Sequence, residues 1–214
     1  MELILYYAPF ACASAPFILL GETGADFEVR PVNLGKGQHT TPEYLAPNPK
    51  RKVPVLVIDG EPLTENVAIQ IWIARNFPNA KLLPADPLQE IRAISLLAWC
   101  ASGIHPAITP VGRPERFCDL PGSEDSVRRC STKLLMDHYQ LADDMLAGRE
   151  WFFDHFTAPD AYFFWCFRRG TQLGLDLSGF KNCQAHMARM VQRPSVQKML
   201  AYEAQVMEQF AKAA

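Results

Sequence analysis

Every strand-like segment of this chain lies before residue 78, and none follows it. Strands first and helices afterwards describe a small α/β domain followed by an all-α domain, not one sheet wound through the whole chain. Glu2 to Tyr7 reads as a strand. Ser14 to Thr23 reads as a helix, with Pro16 tolerable in its first turn and Gly24 near its end. In "DFEVRPVNL", Phe27 and Val29 alternate with Glu28 and Arg30, which gives a second strand. A strand, a helix and a strand make a βαβ unit, whose strands run parallel with a right-handed crossover. A polar loop, "GKGQHTTPEYLAPNPKRK", follows, in which Thr41 can cap a short helix begun by Pro42. "VPVLVIDGEPLT" places two short strands around the hairpin dipeptide Asp59-Gly60. "ENVAIQIWIARNF" is helical, with Val67, Ile71 and Ala74 on one stripe and Trp72 beside it.

Residues 1–78 therefore read β-α-β-(α)-β-β-α, a mixed sheet covered by helices. The proline-rich "PNAKLLPADPLQ" marks a linker over 79–87, and 88–214 forms the helical domain. Its first helix spans Leu88 to Ile104 and ends at His105-Pro106. The loop "GRPERFCDLPGSED", residues 112–125, has a length that often carries function. Further helices cover Ser126 to Leu146, the segment behind Thr157, Leu177 to Gln192, and Pro194 to Gln209. Thr157 and Asp160 have the spacing of a capping box.

Composition narrows the function. The formal net charge is -2 with no long run of Lys and Arg, which argues against nucleic acid or an anionic membrane as the main partner. The start "MELILYYAPF" reads as a strand and not as a secretion signal, and no apolar run approaches the roughly 20 residues needed to span a bilayer. The six cysteines, Cys12, Cys100, Cys118, Cys130, Cys166 and Cys183, are scattered, with neither C-x-x-C pairs nor metal-ligand spacing. This implies a reducing, cytoplasmic setting and no metal.

Cys12 has the distinctive position, between a strand and a helix. Unpaired N–H groups and the dipole at a helix start stabilise a thiolate, so the placement is expected to lower the thiol pKa. The alternative is a small buried hydrophobe. With Ala15 where a resolving cysteine would stand, an intramolecular disulfide cycle is unavailable, and the natural partner is a small external thiol. Val53-Pro54 heads a strand; a cis bond there would turn the Val53 backbone toward a peptide-like ligand, whereas an ordinary strand-initiating proline would not. Glu65-Asn66 opens a helix. The helix N-terminus could hold a carboxylate and Glu65 an ammonium, together the two charges of an α-amino acid, though plain capping would also explain Asn66. Lys36 could reach a second carboxylate, or be a solvated lysine. His105 could donate to a thiolate or a carbonyl, or cap the bend at Pro106. Trp99, Phe117, Phe164 and Trp165 could wall an apolar pocket or be simple core.

Taken together these segments resemble the glutathione S-transferase family over essentially the whole chain. "YYAPFACASAP" is similar to the start of the bacterial beta-class enzymes at Tyr6, Pro9, Ala11, Cys12 and Ala15. "NPKRKVPVL" matches the N-P-x-G-x-V-P-x-L pattern at Asn48, Pro49, Val53, Pro54 and Leu56, with Arg51 in place of the glycine. "LTENVAI" matches L-x-E-S-x-A-I at Leu63, Glu65, Ala68 and Ile69, with Asn66 in place of the serine. "FTAPDAYFF" and "RPSVQKML" match the family's capping segment and its closing R-P-x-V stretch. The resemblance implies a thioredoxin-like N-terminal domain, a cis Pro54, and glutathione as cosubstrate. Val53 would bind its cysteinyl part, Glu65 and Asn66 its γ-glutamyl end, and Cys12 its sulfur, by a hydrogen bond or a mixed disulfide, with Tyr6, Lys36 and His105 nearby. The glutathione thiol would be delivered to a small electrophilic or disulfide second substrate. Trp165 and Phe117 would line a second-substrate pocket between the domains, and the protein would form a homodimer. It leaves open a non-catalytic glutathione-binding or regulatory relative, and a glutathione-dependent isomerase or dehalogenase.

Overall fold

The computed structural model describes residues 1–212. These divide into two compact units: Met1–Leu83 together with the last helix, from Val191 onward, and Pro84–Met190.

In the first unit, four strands form one sheet in the order β2-β1-β3-β4: β1 (Leu3–Tyr7), β2 (Glu28–Pro31), β3 (Val55–Ile58) and β4 (Glu61–Thr64). β1 pairs with β2 in parallel and with β3 antiparallel, and β3 pairs antiparallel with β4. The parallel pair is joined by α1 (Ser14–Thr23), as the βαβ reading requires. Asp59 and Gly60 both have positive φ, 47° and 90°, the backbone of a type I′ hairpin turn. α1 is apolar all round, and Ser14 through Leu20 are all buried, because the helix packs against both α3 (Asn66–Asn76) and α9 (Pro194–Lys212). A helix with one solvent face could not carry "APFILL". The short α2 (Pro42–Leu45) begins at Pro42 as expected, but Thr41 does not cap it; its hydroxyl donates to the Gln38 carbonyl at 3.1 Å.

α9 belongs to the sheet unit, whereas the sequence reading placed it with the helical domain. Its start is clamped to α1: the Arg193 guanidinium donates to both Glu22 oxygens, at 2.9 and 2.6 Å, and the Ser195 hydroxyl donates to the same carboxylate. Those bonds and the cation hold the Glu22 pKa below the usual carboxylate value despite the burial that opposes them. Ser195, Val196, Met199, Glu203 and Val206 form the buried face of α9.

The second unit contains α4 (Pro87–Trp99), α5 (His105–Gly112), α6 (Glu124–Met145), α7 (Ala158–Gln172) and α8 (Lys181–Val191). The break expected at His105-Pro106 does not occur. Residues 100–104 form a π-helical turn that joins α4 to α5, with the His105 N–H donating to the Cys100 carbonyl. Pro106 cannot donate to the carbonyl four residues back and its ring crowds that carbonyl, and the wider turn accommodates both problems. Pro87–Gly112 is thereby one rod, long and apolar enough by length and composition to cross a membrane, where the sequence was expected to hold no apolar run of that length. Its α4 portion packs against α7 and its α5 portion against α6. α7 is buried from Ala158 to Phe167 and forms the centre of this unit. α6 crosses it closely at Gly170, where a Cβ would lie 2.6 Å from the Tyr139 hydroxyl oxygen. The capping box is present: Asp160 accepts from the Thr157 N–H at 2.8 Å and from the Thr157 hydroxyl at 2.9 Å, and its other oxygen meets the Phe152 N–H and the His186 ring.

Candidate functional site

The connection from β1 to α1 carries Cys12. Phe10 takes a left-handed conformation, φ 63°, uncommon for a bulky residue, and so turns the chain sharply before the thiol. That turn is held from the far end of the sequence. One oxygen of the buried Glu203, on α9, accepts from the Phe10 N–H at 2.8 Å and from the Tyr7 hydroxyl at 3.0 Å. Tyr7 is itself wholly buried.

The loop before β3 closes on Cys12 from the other side. The Val53-Pro54 peptide bond is cis, as the resemblance implied. The Cys12 Sγ donates to the Val53 carbonyl at 3.7 Å. Three contacts hold the loop: the Asn48 side chain donates to the Lys52 carbonyl and accepts from the Lys50 N–H, and the Tyr44 hydroxyl donates to the same Lys52 carbonyl. Asn48 is 1% exposed, so its amide is committed to this turn. Arg51 sits in the loop with φ 59°, where the family pattern has glycine.

The third element is the start of α3. Glu65 precedes the helix with φ 73° and does not cap it. Asn66 does not cap it either, contrary to one sequence reading. Its amide is buried and donates to the Cys12 carbonyl at 3.2 Å, while its Oδ1 has no hydrogen-bond partner among the described residues. Asn66 thus ties the α3 N-terminus, with its unpaired N–H groups, to the residue that bears the thiol.

The electrostatics of Cys12 run opposite to the sequence expectation. The helix start was expected to lower the thiol pKa; instead burial pushes it up to about 12. A hydrogen bond to the backbone and the charge of Lys52 lower it, and the charge of Glu65 raises it, but desolvation of the thiolate outweighs them. At neutral pH Cys12 is a protonated thiol and a hydrogen-bond donor.

Of the other residues singled out in this unit, Tyr6 lies on β1 with its ring edge-on to Tyr44 and its hydroxyl 3.5 Å from the Arg30 guanidinium, and Lys36 lies exposed on the loop after β2. The remaining three lie in the second unit. His105 starts α5, with Nδ1 3.1 Å from the Tyr162 hydroxyl and its ring against Trp165, centroids 4.4 Å apart. Trp165 is 4% exposed, whereas Phe117 is 54% exposed. Glu203, Tyr7, Asn48 and Lys50 were not anticipated as site residues. Glu203 had a visible signal, a single carboxylate on the otherwise apolar stripe Val196, Met199, Val206 of the last helix. Among the described residues, no group of three or more His, Cys, Asp or Glu could hold a metal ion.

Residues 1–75 match the family model described as "Glutathione S-transferase, N-terminal domain". The chain is 36% identical over 204 residues to glutathione S-transferase GstA of Escherichia coli, covering 93% of this chain and 98% of the relative. It superposes with TM-score 0.84 at 36% identity on a solved bacterial beta class glutathione S-transferase of Sphingomonas chungbukensis, covering 94% of this chain and 98% of the other. It superposes with TM-score 0.83 at 33% identity, and the same coverages, on a sphingomonad glutathione S-transferase complexed with glutathione. That likeness, 36% identity along nearly the full length of both chains, shows that this chain belongs to the glutathione S-transferase family.

Proposed function

We propose that the protein binds glutathione along the face formed by Cys12, Val53 and the start of α3, and transfers its thiol to an electrophilic second substrate. In this reading the Val53 backbone pairs with the cysteinyl part of the tripeptide. The α3 N-terminus receives the γ-glutamyl carboxylate and Glu65 its ammonium. Lys36 reaches the other carboxylate, and Tyr6 flanks the bound peptide. His105 is assigned a donor role, and Trp165 and Phe117 the second-substrate contacts. Homodimer formation and a cytoplasmic location complete the reading and rest on the family.

One observation carries the assignment of Cys12: the thiol is buried and donates to a backbone carbonyl. A thiol protonated at neutral pH is a poor nucleophile and a competent donor. When glutathione binds, the Cys12 S–H turns from the Val53 carbonyl to the glutathione sulfur and steadies its thiolate by a hydrogen bond, the thiol proton of glutathione passing to solvent. The thiolate attacks the electrophilic carbon, a carbon–sulfur bond forms, and the leaving group departs with its electron pair. Positioning and thiolate stabilisation provide the rate gain. The test compares glutathione conjugation of an activated aryl halide by the parent, Cys12→Ser and Cys12→Ala. Serine still donates, so its activity is expected to lie well above that of alanine. Equal loss in both, with a covalent glutathione adduct on the parent in intact mass spectrometry, would instead make Cys12 a thiol–disulfide exchange residue.

A further inference from the structure

The carboxylate of Glu65 already holds an ammonium. Lys50 Nζ lies 2.6 Å from Glu65 Oε1 and 2.9 Å from the Thr64 hydroxyl. Glu65 has a positive φ, 73°, and makes no side-chain hydrogen bond that caps its own helix. The base of Lys50 is fixed, because its N–H is bonded to the buried Asn48 and the adjoining loop is held by Asn48 and Tyr44. Its four-carbon stem and ammonium remain exposed, with side-chain accessibilities of 52% for Lys50 and 67% for Glu65. An anchored root with a solvent-exposed head lets the ammonium leave without unfolding the loop.

We propose that Lys50 is an internal competitor for Glu65, its ammonium standing where the α-ammonium of the γ-glutamyl group is received. Binding is then an exchange of one primary ammonium for another on the same carboxylate. The inference rests on the reading of Glu65 as the γ-glutamyl contact. The exchange costs only a ligand that takes Glu65: glutathione must displace Lys50, whereas a ligand lacking a primary ammonium leaves the Lys50–Glu65 pair intact, so Lys50 moderates the preference for the amino group. The pair is exposed, so its hold is weak, and releasing Glu65 from it is expected to change affinity only about 1.5- to 5-fold.

The test is calorimetric titration of Lys50→Met, Glu65→Ala and the parent with two ligands: glutathione, and its analogue in which the γ-glutamyl amino group is replaced by hydrogen. Lys50→Met is expected to bind glutathione about 1.5- to 5-fold tighter than the parent at low salt, with the gap closing as salt rises, and to bind the analogue no tighter. Unchanged or weaker glutathione binding by Lys50→Met, or equal tightening for both ligands, would overturn the competition. Glu65→Ala separates the two levels of the argument. If it weakens glutathione binding while Lys50→Met does not tighten it, the ligand contact stands and the competition is wrong. If Glu65→Ala leaves glutathione binding unchanged, the contact is wrong and the competition falls with it.

Discussion

Arg51 offers a substitution that should improve the protein. It occupies a left-handed conformation, φ 59°, in the loop that presents Val53. For an L-residue that region costs roughly 1–2 kcal/mol through crowding of Cβ against the carbonyl. Glycine avoids the crowding, but its freedom in the unfolded chain costs about 0.5–1 kcal/mol on folding. The guanidinium is exposed, so its loss is worth little at the surface. Arg51→Gly is therefore expected to stabilise the protein by about 0.5–1 kcal/mol. For a chain of this size that raises the thermal midpoint by about 1–4 °C. The assay is thermal unfolding of the parent, Arg51→Gly and Arg51→Ala at one protein concentration, so that association cannot contribute to the difference. Arg51→Ala removes the guanidinium and keeps Cβ, so it should show no such gain. A midpoint for Arg51→Gly at or below that of Arg51→Ala would refute the argument that the backbone at this position is strained.

Other expectations follow from the same geometry. Alkylation of Cys12 should be slow at pH 7–8 and keep accelerating with pH toward about 12, as mass spectrometry of the labelled peptide would show; a plateau near pH 9 would mean that burial does not control the thiol. Because the folded pKa is raised, the protonated thiol stabilises the fold fully below about pH 9, the ordinary thiol value, and that contribution is lost as pH rises from there through about 12; the parent should therefore lose stability faster than Cys12→Ala over that window. Asp160→Ala removes the acceptor of four buried contacts and should lower stability by about 3 kcal/mol or more in chemical denaturation; a loss under 1 kcal/mol would show that the capping box is dispensable. Asn66→Ser restores the family residue but shortens the side chain that reaches the Cys12 carbonyl, so it should quicken Cys12 alkylation while leaving the midpoint within a few degrees.

Local patterns were the most legible part of the chain. Helix α1 occupies Ser14–Thr23 as its apolar run and Gly24 predict, and Asp59-Gly60 turns the hairpin. The Cys12, Val53-Pro54 and Glu65-Asn66 segments were found because each has a short signature, and the sheet brings them together: β1 beside β3, and α3 following β4. What the sequence concealed depends on contacts distant along the chain or on competing local terms. The Pro106 signal was read as a helix end because a π turn, which absorbs it, has no residue signature. The pKa of Cys12 was expected to fall because the helix start is visible in sequence while the depth of burial is not. The allegiance of α9 to the sheet unit depends on Glu22, Arg193 and Ser195, and its hold on the thiol turn on Glu203, which is separated from Phe10 by 193 residues. The pairing of Lys50 with Glu65 needs the cis-proline loop and the hairpin to be folded already, so no spacing rule would have joined them.

The central claim is that glutathione lies along Cys12, Val53 and the N-terminus of α3. Titration of the isotope-labelled protein with glutathione, followed by amide chemical shifts, tests it residue by residue. The account predicts saturable shifts concentrated at Cys12, Val53, Glu65 and Asn66. Saturable binding whose shifts fall elsewhere and spare those four amides, or no shift at millimolar glutathione, would contradict it.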